Sequence, residues 1–255
     1  MSNKMATDGG YIWQRPWFSS VLALGILFIS GIRLVGICTQ QNGVATAAIA
    51  QKASLIMPVT AGLLWFNDNF TWLKLFGIIL AIVAIVLTSL PPPQKNINSS
   101  SPSQGKTNIT FNWKLPLLVL VVSGTSEVIF KYTQANYLQP NENAIFTTCI
   151  FAVAAIIGVV WFFYLKVKKQ ISLAWADVAG GILLGVPNYF SVYFFVRALQ
   201  TTGFEASVFF PVLNIGVVLT AAAIAALVFK EHFYRQKIAG LILAVMAIAL
   251  LLLGR

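Results

Sequence analysis

A few polar residues in an otherwise oily sequence could do chemistry. Glu127 and Lys131, in SGTSEVIFKYTQ, stand four apart with the acid first. That spacing lets a carboxylate and an ammonium meet on one helical face. Such a pair either neutralises itself or leaves Glu127 to carry a coupling proton, with Lys131 beside it. Gln51 and Lys52, in AIAQKASLIMP, sit about eight residues inside an apolar run. A lysine at that depth either snorkels along its aliphatic stem or presents a donor to an anionic or zwitterionic solute. The stretch GVPNYFSVYFFVRALQ places Asn188, Tyr189 and Tyr193 just after Pro187, and FFPVLNIG places Asn214 three residues after Pro211. An amide in hydrocarbon without a partner costs a few kcal/mol, so these side chains either glue helices together or line a hydrated cavity. Pro58, Pro187 and Pro211 each remove a backbone donor and bend a helix, so they are candidate hinges beside the polar groups. Arg33 and Arg197 lie near span ends and are read as snorkelling.

The elements that must position these residues are membrane helices. The chain has 255 residues, 58% hydrophobic and 9% charged, with a mean hydropathy of +0.81. Soluble domains carry about 25% charged residues and must cover themselves with polar groups. This one does not, which makes it an all-α polytopic membrane protein. Eight runs are long enough to span: 18–38, 44–66, 71–90, 114–134, 143–165, 173–199, 204–229 and 234–253. Residues 1–17 form a polar N-terminal segment without a cleavable signal pattern. Residues 91–113, PPPQKNINSSSPSQGKTNITFNW, read as a flexible linker. The linker separates a first unit of three helices (18–90) from a second of five (114–255).

The two units are related in sequence. At an offset of 163, Asp68 matches Glu231, Phe70 matches Phe233 and Lys74 matches Lys237. Gly77, Ala81 and Ala84 likewise match Gly240, Ala244 and Ala247, and Gln51 matches Asn214. The loop glycines Gly43 and Gly203 match at an offset of 160. The matched helices are third and eighth, so they cross in opposite directions. That is an inverted repeat, an architecture of secondary transporters. A 3+5 arrangement is expected to be truncated from 5+5, with two helices lost upstream of residue 1.

The net charge of +10 falls mostly in loops, without a basic stripe interleaved with aromatics, so nucleic acid is not an expected partner. Nine basic residues (Lys95, Lys106, Lys114, Lys166, Lys168, Lys169, Lys230, Arg235, Lys237) lie on one face and six (Lys4, Arg15, Lys74, Lys131, Arg197, Arg255) on the other. By the positive-inside bias the first face is cytoplasmic and both termini are outside. Cys38 and Cys149 form no CxxC and read as small apolar residues. An enzyme is not expected, nor a cofactor or a metal. The single histidine, His232, has no partner set, and GGILLG lacks the Lys-Ser/Thr of a phosphate loop. Gly181 and Gly185 form a GxxxG pair that permits close helix approach, and a homodimer stays open.

With Asp68, Phe70 and Gly77 in one unit and Glu231, Phe233 and Gly240 in the other, the sequence resembles the EamA-type branch of the drug/metabolite transporter superfamily. The stretch GVPNYFSVYFFVRALQTTGFEASVFFPVLN is similar to that family's paired eighth and ninth helices. The resemblance covers residues 20 to 253. It implies a permease or exporter of small organic metabolites in the plasma (bacterial inner) membrane, working by alternating access through a central cavity. It also implies cytoplasmic termini, against the charge count. The alternatives are a non-transporting scaffold, a truncated inactive fragment, or a lipid flippase.

Overall fold

The structure, a computed structural model, describes residues 11–66, 68–89, 112–168, 174–228, 230 and 233–254. Its helices are α1 (Phe18–Asn42), α2 (Val44–Ala53), α3 (Ile56–Trp65), α4 (Trp72–Ser89), α5 (Lys114–Asn136), α6 (Asn143–Val167), α7 (Trp175–Thr201), α8 (Ala206–Leu227) and α9 (Arg235–Leu253). Among the described residues, eight segments are long and apolar enough to cross a membrane, α2 and α3 together making one of them. The protein is therefore a multi-pass integral membrane protein, all-α as expected. Of the linker only Asn112 and Trp113 are described, and Phe229, Glu231 and His232 lie outside the described residues.

The span 44–66, expected to be one helix, is interrupted at Ser54 and Leu55. The cause lies downstream. Pro58 has no N–H to offer the carbonyl of Ser54, and the backbone there tightens. The Leu55 N–H donates to the Lys52 carbonyl (3.3 Å) and the Met57 N–H to the Ser54 carbonyl (2.9 Å). These are three-residue steps, the kind of local tightening that often marks a hinge. Pro187 and Pro211, by contrast, sit inside helices that run on past them.

The chain gathers into two compact units, one of Met1–Ser30 with Ile129–Gly203 and the other of Gly31–Val128 with Phe204–Arg255. This division passes through α1 and α5, so a spatial unit is not the same thing as a sequence repeat. In the unit containing α6 and α7, Trp17 donates its indole N–H to Glu142 (3.1 Å), and Arg15 reaches the other carboxylate oxygen of Glu142 (3.3 Å). An edge-to-face aromatic chain runs from Trp17 through Phe146 and Phe130 to Phe195.

The other unit is built on α4, α8 and α9. In lipid, helices associate through close van der Waals packing rather than through the hydrophobic effect, so small residues sit where backbones meet. At Gly77 of α4 an added methyl would come within 2.8 Å of the Leu251 side chain on α9, and at Gly240 of α9 within 2.7 Å of Thr88 on α4. Residues 77 and 240 are 163 apart, and so are 88 and 251. The contacts are reciprocal, and the start of each helix lies on the end of the other, so α4 and α9 are antiparallel. Ala81, Ala84, Ala244 and Ala247 close the middle of the same crossing with Ile215 of α8. The loop glycines match as well. Gly43 has φ 89° and Gly203 has φ 62°, left-handed backbone that favours glycine before each following helix.

Because the two crossing points are equivalent, Gly77→Val and Gly240→Val are expected to destabilise the protein similarly, by about 1–3 kcal/mol each from overpacking. Thermal unfolding in detergent checks this. A loss at only one of the two sites contradicts an energetically reciprocal crossing.

Candidate functional site

Lys52 is the last residue but one of α2, just before the break. Its ammonium donates to Oδ1 of Asn214 on α8 (3.0 Å). Asn214 is buried, 8% exposed, and its own amide donates back to the Phe210 carbonyl (3.0 Å) one turn earlier. Pro211, between the two, withdraws its donor from the carbonyl of residue 207 instead. Two of the residues singled out in the sequence are thus brought together across the helices. The amide keeps one N–H, and the ammonium uses one of its three donors here.

Glu127 of α5 joins them. It faces the Lys52 ammonium and the Ser54 hydroxyl. α5 comes close to the broken span because Gly124, one turn before Glu127, leaves no room for a side chain: an added methyl would meet Met57 of α3 at 2.5 Å. Ser54 is buried and spends its proton on the Gln51 carbonyl (2.6 Å). Glu127 Oε2 is buried without a hydrogen-bond partner among the described residues. The charge of Lys52 thus acts on the carboxylate from α2 without closing an ion pair. The spacing of Glu127 and Lys131 pointed instead to a partner on its own helix, and Lys131 donates to Gln134 (3.4 Å).

The remaining candidates divide. Gln51 is exposed, so its partnership with Asn214 at the repeat offset is not a contact; the neighbouring Lys52 makes the contact instead. Pro58 and Pro211 are buried close to the Lys52 centre in sequence, while Pro187 is exposed. Asn188, Tyr189 and Tyr193 belong to the unit containing α6 and α7 and are half-buried there. The Tyr189 hydroxyl pairs with that of Thr148 (3.0 Å), and its ring lies edge-on to Phe151. Thr147, one residue before, is buried with its hydroxyl unpartnered among the described residues.

Sequence reasoning missed a second polar centre. Lys74, counted above as a loop charge, is 2% exposed. It forms an ion pair with Glu205 and donates to the Asn69 carbonyl (2.9 Å), while the Asn69 amide donates to the other Glu205 oxygen (3.1 Å). The Asp68 carboxylate accepts the Ser207 N–H (2.7 Å), and the Asp68 N–H donates to the Gly62 carbonyl (3.0 Å). The acid of the repeat motif is thus a cap, supplied from another loop to the positive end of α8. The signal was present in the matched Asp68 and Lys74, and Glu205 was the unread partner. Among the described residues, no group of three or more His, Cys, Asp or Glu side chains could hold a metal ion. A groove of about 500 Å³ between α2 and α5, lined by Ile49, Ala50, Trp113, Pro116, Leu117 and Leu120 with Thr46, is apolar and suits hydrocarbon rather than a polar solute.

No family model matches the chain. It is 28% identical over 239 residues, 93% of its own length and 76% of the relative's, to an uncharacterized protein of Haemophilus influenzae. The two are distant homologues.

Burial opposes the charge of Glu205, but the hydrogen bond and charge of Lys74, with the hydrogen bonds of Asn69, outweigh it and hold the carboxyl below its ordinary value. A folded value depressed below the unfolded one stabilises the protein above the unfolded carboxyl pKa of about 4.3. That stabilisation is lost as pH falls through the lower folded value. The melting temperature of the wild type should therefore fall more steeply below about pH 4 than that of Glu205→Gln. At neutral pH, Lys74→Met should cost about 3 kcal/mol by leaving Glu205 without its cation. Equal acid sensitivity of wild type and Glu205→Gln would count against the clasp.

Proposed function

We propose that this protein is a secondary transporter of small organic metabolites, a permease or exporter of the EamA type, working by alternating access in the bacterial inner membrane. The observation that carries the reading is the meeting of Lys52, Asn214 and Glu127 within membrane-spanning segments. Each ionisable residue at the bilayer centre costs about 2.5–3.5 kcal/mol on insertion scales, and such residues concentrate on solute and ion pathways. Here an ammonium with unspent donors and a carboxylate oxygen without a donor share one place.

The surrounding backbone suits moving parts. The span carrying Lys52 is broken at Ser54–Leu55, and the helix carrying Asn214 holds Pro211 one turn before it. Interrupted helices at a binding site are a recurrent feature of transporters built from inverted repeats. The reciprocal α4–α9 crossing, with Gly77 on Leu251 and Gly240 on Thr88, supports such a repeat. Interhelical glue alone gives no use for the orphaned oxygen of Glu127, since a scaffold gains nothing by burying it.

Proteoliposomes loaded with labelled amino acids, carboxylates, sugar phosphates and nucleosides test the reading by release of solute. At least one class should move in the wild type. Lys52→Met and Asn214→Leu should each slow it at least about tenfold, the loss of roughly one charged hydrogen bond, in preparations that remain folded. Unchanged flux in both variants, with lowered stability, would establish a structural role instead.

A further inference from the structure

The charges at the Lys52 centre balance, and that balance limits what can enter. With Lys52 protonated and Glu127 ionised the centre is neutral. One donor of Lys52 goes to Asn214, a neutral acceptor, and among the described residues no hydrogen bond takes the other two. Asn214 spends one N–H on Phe210 and accepts from Lys52, which leaves it one further N–H. An incoming solute therefore finds donors on Lys52 and the remaining N–H of Asn214, which calls for an acceptor, and an anionic one binds an ammonium best. The second anion would stand beside Glu127, whose Oε2 already lacks a donor. Two carboxylates sharing one cation in a medium of low dielectric do not both stay ionised.

Resting on the transporter reading above, we infer that the Lys52 centre binds a small organic carboxylate and that Glu127 takes up a proton when it does, so anion and proton move together. The step balances. The Lys52 ammonium keeps its three protons and trades the charge of Glu127 for that of the solute. Glu127 gains one proton from water on the side from which the solute entered. The centre is neutral before and after, so the loaded carrier crosses its central barrier without the cost of an isolated charge.

The groups around Glu127 permit this. From α2 it is faced by Lys52, with Ser54 following. From α3 comes the uncharged Met57, against Gly124, and from α8 the neutral Asn214 acts through Lys52. α1 approaches α5 at Gly31 against Val122 and carries Arg33 two residues on, while on α5 itself the next charge is Lys131. No second carboxylate is among these groups to share the proton.

The test uses the purified full chain in detergent, with pyruvate, succinate and benzoate as carboxylate probes and leucine and choline as zwitterionic and cationic controls. Binding is read by calorimetry, and proton uptake by an indicator dye in weak buffer. At least one carboxylate should bind with uptake of about one proton, and its affinity should rise about tenfold for each unit by which pH falls. Glu127→Gln, which copies the protonated carboxyl, should bind the same anion with no proton uptake and no pH slope. Lys52→Met should lose binding at least about tenfold, with Lys52→Arg restoring part of it. The proposal is overturned if no carboxylate binds, or if Glu127→Gln keeps the wild-type pH slope. Release of a neutral or cationic solute from the same proteoliposomes would then leave the transporter reading standing while this inference falls. If nothing binds and nothing is released, both fall.

Discussion

Hydrocarbon tolerates no uncompensated charge, and the arrangement of this protein around Lys52 follows from that one constraint. The ammonium lies within a spanning segment and is answered twice, by the Asn214 amide at 3.0 Å and by the Glu127 carboxylate facing it. Three helices must come together for that to happen. α2 has to stop at Ala53 so that the chain can turn, α5 has to carry glycine at 124 to lie against Met57, and α8 carries proline at 211 one turn before Asn214. Each of these local departures from regular helix weakens a helix taken alone. Together they place donors and acceptors where a solute can meet them.

The scaffold that holds this centre uses the opposite strategy. At the α4–α9 crossing the side chains shrink to glycine and alanine, and stability comes from backbone proximity. At the membrane surface the Lys74–Glu205 clasp and the Asp68 cap tie the α3–α4 connection to the first turn of α8. The centre therefore sits between a rigid apolar crossing and a charged fastening at one end of α8. The same matched positions, Asp68, Lys74, Gly77 and Ala81, supply both. In this reading the repeat preserves the mechanical frame, while its polar interior diverges to Gln51 in one arm and Asn214 in the other.

The helices were legible from composition because spanning the bilayer imposes a length and a polarity that leave few choices. The eight expected spans agree with the observed helices to within a few residues. What stayed hidden was lateral. Glu127 feels the charge on α2, and sequence spacing offers only its own helix. Lys74 looked like a loop charge because it stands at the third residue of α4, yet the fold buries it against Glu205. Gln51 was read as Asn214's counterpart and the adjacent Lys52 as its neighbour; a single step along the helix exchanges which of them faces α8. The break at 54–55 was readable in principle, since a proline withdraws the donor needed four residues earlier.

The central claim is that water and solute reach this centre. Gln51 is exposed immediately before Lys52, and exposure means either lipid or an aqueous passage. A thiol reacts only as its thiolate, which requires water. The direct measurement is labelling of Gln51→Cys, in a background with Cys38 and Cys149 replaced, by a charged, membrane-impermeant thiol reagent applied to each side of sealed vesicles. The account predicts reaction from both sides, slowed by a solute the protein carries. A thiol at position 51 that is inert from both sides while the protein remains folded would place that surface in lipid and contradict it.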